Sequence, residues 1–184
     1  MSIFGLFKAD PLKDAGYAMY GVAGEQARLP VFFEALEVED SFDGRFDLLV
    51  LHIHLVMRRL RALEKDGKRA RQHLFDVFIK DIDQGLRLAG VGDIGIGHRV
   101  KKMSNAYYGR VIAYDEALDG GEPGALDQAL HRNLYRARAV SPETLSAMAD
   151  YVCAAGSRLA GFTDADMVAG NFAYGAPTVE PEHA

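Results

Sequence analysis

The sequence predicts an all-α protein: a single domain of about seven helices packed around a central buried helix at about 43–65. Three observations predict it. Apolar residues recur at spacings of three and four in one segment after another, which is the helical period. No segment sustains the two-residue alternation of a half-buried strand, and Val and Thr runs are few. Between 48 and 57 every position is apolar except His52 and His54. A surface helix keeps a polar back, so this helix must be covered on more than one side. It is shorter than the roughly 20 apolar residues that span a bilayer, and Asp47, Arg58 and Arg59 stand close to its ends.

A chain of 184 residues fits one domain, and 49% apolar with 26% charged residues places it among globular proteins rather than disordered ones. The net charge of −5 argues against a surface that binds nucleic acid as a whole, for which a basic domain is expected. One cysteine, Cys153, excludes an internal disulfide framework and a multi-cysteine metal site, and fits a reducing compartment. The first residues lack the charged head, apolar run and small-residue cleavage site of a signal peptide. The expected location is cytoplasmic.

Residues 1–9 contain Ile3, Phe4, Leu6 and Phe7 and read as a short arm, either packed on the domain or touching a membrane. The helical domain is expected over 10–170. Asp10 and Pro11 open a helix to about 28, which Pro30 ends. Residues 31–36 are a short apolar piece, and 37–41 an acidic loop. Asp43 is the expected N-cap of the central helix, and Gly67 its left-handed C-terminal cap. Leu74, Phe75, Phe78, Ile82 and Leu86 carry a second long helix over 68–89, followed by a loop with four glycines over 90–97. A third long helix covers 98–118, and its Gly109 is expected at a close helix crossing. Pro123 opens a helix to about 138. Ser141-Pro142 opens another to 161, and Thr163 with Asp166 resembles a capping box opening a last short helix. Residues 171–184 are expected to be a flexible tail.

Few residues carry a chemical signature. His52 and His54 are two apart, which on a helix is about 200° around the axis, so they cannot share one metal. Buried histidines with hydrogen bonds are the simpler reading. Asp76, Asp81 and Asp83 crowd one helix without a Glu-x-x-His partner, and Asp76 and Lys80 form an ordinary helical pair. Cys153 is expected on the apolar side of its helix as a small core residue. The glycine loop follows no strand, so it lacks the context of a phosphate-binding fingerprint. The basic run Arg58, Arg59, Arg61, Lys65, Lys68, Arg69 and Arg71 straddles the turn at 66–67 and gathers at one end of a helix hairpin. Cations suit the end of the first helix but not the start of the second. Helix stability therefore does not account for Lys68, Arg69 and Arg71. The run is either a solvated tip or a docking knob for anionic headgroups, RNA or an acidic partner.

A set of short motifs runs in order along the chain. QAR-P (26–30), DGRF (43–46), LH (51–52), RL (59–60) and LFD (74–76) come first. DID (81–83), LR (86–87), GVGD (90–93), YYGR (107–110), YDEAL (114–118) and RNLY (132–135) complete it. Over about 10–139 their order and spacing resemble the ubiquinol–cytochrome c chaperone family, in its bacterial form. The chain differs at two positions often filled by Trp in that family, here His54 and Ile79. The resemblance implies an all-helical protein without catalysis or cofactor, which assists assembly of the cytochrome bc-type respiratory complex. The implied partner is newly made cytochrome b or another membrane subunit of that complex. A membrane surface or the ribosome is then the contact for the basic tip. DNA and small-molecule substrates are not implied. The motif-bearing polar residues Asp43, Arg45, Asp76, Asp81, Asp93, Arg110, Arg132 and Asn133 are the candidate partner-binding set; the alternative is that they are caps and inter-helix hydrogen bonds. Two other readings stay open at this point: a helical adaptor with a different client, and a haem or metal binder using His52 or His54.

Overall fold

The structure is a computed structural model that describes residues 11–63 and 66–178. Among the described residues there are eight helices and no strand: α1 (Pro11–Gln26), α2 (Val31–Glu34), α3 (Phe42–Arg61), α4 (Gly67–Leu88), α5 (Asp93–Gly120), α6 (Ala125–Asn133), α7 (Pro142–Ala160) and α8 (Asp164–Ala169). The fold is the expected all-α one, and α3 is its axis. From Phe46 to Leu60 every residue of α3 is buried except Leu49, Arg58 and Arg59. α1 and α4 pack on each other and on α3, α5 and α7 cover further sides of α3, and α6 joins α5 to α7. The apolar all-round composition of 48–57 is thus matched by neighbours on more than one side.

The local stops and starts follow identifiable chemistry. Ser41, not Asp43, caps α3, its Oγ accepting from the Gly44 amide at 3.1 Å. The Ser141 and Thr163 caps form as expected, with acceptor distances of 3.0 and 3.1 Å. The left-handed residue of the α3–α4 turn is Asp66 (φ 59°), and Gly67 is the first residue of α4. Gly67 is needed for space instead: a Cβ there would lie 2.5 Å from the Leu60 carbonyl oxygen. The close helix crossing occurs at Gly16 of α1, where a Cβ would meet the His73 backbone at 3.0 Å. At Gly109 a Cβ would meet nothing within 4 Å, so the expected crossing is absent there.

Four boundaries correct the sequence reading. α5 begins at Asp93 and takes in Gly95 and Gly97, which cost helix propensity but break no packing. α3 ends at Arg61, and Lys65 lies outside the described residues, as does the arm over 1–9. α6 ends at Asn133 because Arg136 (φ 54°) and Ala137 (φ 57°) turn left-handed. The stretch 171–178 is not a flexible tail: Phe172 and Tyr174 are buried, and the Tyr174 hydroxyl donates to the His52 carbonyl at 2.9 Å. Two aromatics in a segment without helical period gave no pattern signal, yet each covers a large apolar area.

Candidate partner-binding site

The candidate polar residues do not converge on one place. Asp43 and Arg110 belong to an ion cluster built around a buried carboxylate; it also contains two residues sequence reasoning missed, Asp47 and Arg136. Asp47 is fully buried on α3. Its Oδ1 lies 2.7 Å from Arg110 of α5, and its Oδ2 accepts from the Arg136 Nε at 2.7 Å. Arg136 also donates to the exposed Asp43 at 2.6 Å. The Arg110 guanidinium lies over the Phe46 ring, 5.9 Å from its centroid. Burial pushes the Asp47 carboxyl above its ordinary range, against the Arg136 hydrogen bond and the Arg110 and Arg136 charges, which lower it. The left-handed backbone at Arg136, uncommon for a residue with a side chain, aims its guanidinium back at α3. The α6–α7 connection is held there further by the Tyr135 hydroxyl, which donates to the Leu36 carbonyl at 2.8 Å, and by Arg138, which donates to the Glu37 carbonyl. One sequence signal was available: Asp47 stands four residues after Asp43, on the same helix face, at the head of the apolar run.

The other candidates are scattered. Arg45 pairs with Asp40 at 2.5 Å on the surface and lies over the Phe33 ring. Asp76 accepts from Gln72 at 2.7 Å, while the Lys80 ammonium donates to the Tyr17 hydroxyl at 2.8 Å. Asp81 accepts from Tyr20 of α1 at 2.7 Å, and burial, then this bond, raises the Tyr20 hydroxyl well above its usual range. Asp93 pairs with Arg87 at 2.7 Å. Asn133 donates to the Ala129 carbonyl at 2.9 Å. Arg132 is exposed, with no hydrogen bond or ion pair among the described residues.

The basic tip divides in two. Arg58, Arg59 and Arg61 are not free cations. Arg61 donates to both oxygens of Asp115 at 2.7 and 2.6 Å. Arg58 bonds Asp119 at 2.5 Å, and Arg59 bonds Asp164 at 2.7 Å and the Phe162 carbonyl at 2.9 Å. Burial raises the Asp115 carboxyl, but the Arg61 hydrogen bond and the surrounding charges hold it below its ordinary range. Lys68 and Arg69 are exposed and Arg71 is half-buried; Arg69 lies 3.6 Å from Asp66.

His52 and His54 point to different neighbours, as their spacing requires. His52 is fully buried, with Nδ1 2.8 Å from the Leu48 carbonyl and Nε2 2.7 Å from the Tyr151 hydroxyl. A neutral ring donating through Nδ1 and accepting at Nε2 satisfies both contacts. Burial lowers its pKa to about 4. Both nitrogens are engaged, so neither is open to a metal. His54 is equally buried but lacks the expected hydrogen bonds: it packs on Tyr114, and its Nε2 lies 3.5 Å from Asp115. Burial lowers its pKa to about 4 as well. Cys153 is exposed rather than in the core. Partial desolvation of its thiol, then Asp150 and Asp127, raises its pKa, the opposite of an activated nucleophile. Of the apolar candidates for an exposed patch, Phe32 is fully buried and Val31 and Phe33 are half-buried; Ile3, Phe4, Leu6 and Phe7 lie outside the described residues.

These features define an all-helical body in which several arginine–carboxylate pairs tie one helix to another. Comparison with known proteins gives the family. Residues 34–174 match the family described as ubiquinol–cytochrome c chaperone, and the chain belongs to it. The match runs through α7 and α8, beyond the part in which the sequence motifs were legible. The ubiquinol–cytochrome c reductase complex assembly factor 1 of Mus musculus is 25% identical over 141 residues, 77% of this chain and 48% of that protein. The mitochondrial CBP3 protein of Saccharomyces cerevisiae is 28% identical over 157 residues, 82% of this chain and 46% of that protein. The chain thus spans about half the length of these two relatives. The crystal structure of the Cbp3 homolog from Brucella abortus matches with a TM-score of 0.79 at 32% identity, covering 90% of this chain and 91% of that one.

Proposed function

We propose that the protein is a non-enzymatic assembly factor for the ubiquinol–cytochrome c reductase complex, and that it holds newly made cytochrome b, or another membrane subunit, until that subunit is built in. The observation that carries this is the family match over 34–174, supported by likeness of the whole fold to the Brucella abortus homolog. The structure is compatible with such work. Asp43, Asp47, Arg110 and Arg136 make a stiff, internally paired frame across α3, α5 and the α6–α7 connection. Arg45, Arg132 and Asn133 sit around that frame with exposed or half-exposed side chains and are the residues we assign to client contact. On this reading the protein works at the membrane surface, as a peripheral partner on the cytoplasmic side; no helix among the described residues is long and apolar enough to cross a membrane. The part of the tip offered to a membrane surface or a ribosome is Lys68 and Arg71. Deleting the gene tests the reading: assembled complex falls while the transcripts of its subunits hold. Normal levels of the complex in the deletion strain would overturn it.

A further inference from the structure

We propose that the outer face of the α4–α5 pair seats the protein on an anionic lipid bilayer, with Tyr108 and Ile112 entering the interface and Lys101, Lys102, Arg71 and Lys68 meeting the headgroups. The proposal names the contact surface for the peripheral placement above and rests on that reading. At about 100° per residue, positions 101, 105, 108 and 112 fall within about 60° of one another on α5. That line is open: Tyr108 is 53% and Ile112 57% exposed, and Lys101 and Asn105 are exposed too, with the exposed Lys102 about 100° round the helix from Lys101. These are two of the few large apolar side chains the fold leaves in solvent. They extend inward to an aromatic floor, since the Phe75 ring of α4 lies 5.7 Å from Tyr108 and 5.4 Å from Tyr107. Because only residues 89–92 connect α4 to α5, this contact has α4 running antiparallel to α5. Lys68 and Arg71, at the start of α4, therefore flank the turns of α5 that follow Tyr108, and Arg71 is close enough for its charge to act on the Tyr107 hydroxyl.

Charge identifies the occupant. The chain carries a net −5, and six of its fourteen arginines are committed elsewhere: Arg58, Arg59, Arg61, Arg87, Arg110 and Arg136 all pair with carboxylates of the same molecule. Lys68, Arg71, Lys101 and Lys102 make no hydrogen bond or ion pair among the described residues. Uncommitted cations thus stand at both ends of an exposed aromatic and aliphatic pair, the arrangement of a surface that lies in a headgroup layer. Acidic groups bound the face: Asp115 and Glu116, one turn beyond Ile112, the first held by Arg61 at 2.6 Å; Asp66, beside Lys68; and Asp76, which accepts from Gln72 at 2.7 Å.

Flotation of the full chain with phosphatidylcholine vesicles, with and without phosphatidylglycerol, tests this. The chain is expected to float with the anionic vesicles only. At about fivefold in partition per cation near an anionic surface, replacing Lys101→Ala and Lys102→Ala together lowers partition by about twenty-five-fold. Ile112→Ser lowers it several-fold, and Lys13→Ala on the exposed side of α1 leaves it unchanged. All four positions are at the surface, and circular dichroism checks that each variant keeps its helix content. Failure to float with anionic vesicles, equal flotation with both kinds, or undiminished flotation of the double lysine variant would overturn the proposal. No client takes part in this assay, so a deletion strain with normal complex levels would sink the assembly reading and leave the lipid result standing.

Discussion

Asp47 and Asp43 offer a controlled comparison inside one ion cluster. Both accept a hydrogen bond from Arg136, at 2.7 and 2.6 Å. Their surroundings differ: the Asp47 side chain is 0% exposed and the Asp43 side chain 58%. Replacing Asp47 by Ala leaves Arg110, itself only 14% exposed, without its counter-charge in a low-dielectric site. Breaking a buried pair from one side costs about 3–5 kcal/mol. Replacing Asp43 by Ala removes a pair that water and salt already screen, worth about 0–1 kcal/mol. With a urea m-value of about 2 kcal/mol/M, the unfolding midpoint falls by about 2 M for Asp47→Ala and by less than about 0.5 M for Asp43→Ala. Urea unfolding followed by circular dichroism measures both. Equal shifts would mean that burial does not set the strength of this cluster. A double variant, Asp47→Leu with Arg110→Met, should recover much of the loss, because an apolar pair of similar volume needs no counter-charge; no recovery would also count against the reasoning.

The glycine of DGRF should be intolerant and the glycine of YYGR tolerant. A Cβ at Gly44 would lie 2.0 Å from the Glu39 carbonyl oxygen, so Gly44→Ala is expected to lower stability by about 3 kcal/mol through overpacking. Gly109 is an exposed helix position with open space, so Gly109→Ala is expected to raise stability by about 1 kcal/mol; thermal unfolding of the two variants checks both signs. The histidines give a pH dependence. The folded pKa of His52, about 4, lies below its ordinary 6.5, so its contribution is full above about pH 6.5 and is lost as the pH falls toward 4. At pH 5 the loss from His52 alone is about 2 kcal/mol, and His54 acts in the same direction. Stability that is flat between pH 7 and pH 5, or an NMR titration that finds all six histidines near 6.5, would contradict this.

The long-range plan of the molecule was legible because it rests on apolar period and composition. Residues 48–57 had to be covered on more than one side, and all but Leu49 are buried. Ser141 and Thr163 announced their helices through local cap chemistry, which depends on neighbours three residues away. What sequence did not disclose depends on contacts between distant segments. Arg136 pairs with Asp47 across 89 positions, and nothing local marks it, since its left-handed backbone interrupts a helix that the pattern would continue. Tyr174 and Phe172 looked like loop residues because they fill a gap left by other elements rather than a face of their own. Arg58, Arg59 and Arg61 read as a cationic knob because Asp115, Asp119 and Asp164 stand more than fifty positions away. The family resemblance found Asp43 and Arg110 in the cluster but not their buried partner. Asp47 stood in no quoted motif, one position after DGRF.

The assembly reading stands or falls on the client. A photo-crosslinker placed at Arg132 or Arg45, on the side of the paired frame, followed by a short radioactive pulse in cells, reports what the protein touches while membrane subunits are being made. The account predicts a crosslinked adduct containing newly made cytochrome b that decays during the chase as the complex assembles. Adducts that hold only other proteins, with cytochrome b absent from every time point, would contradict it.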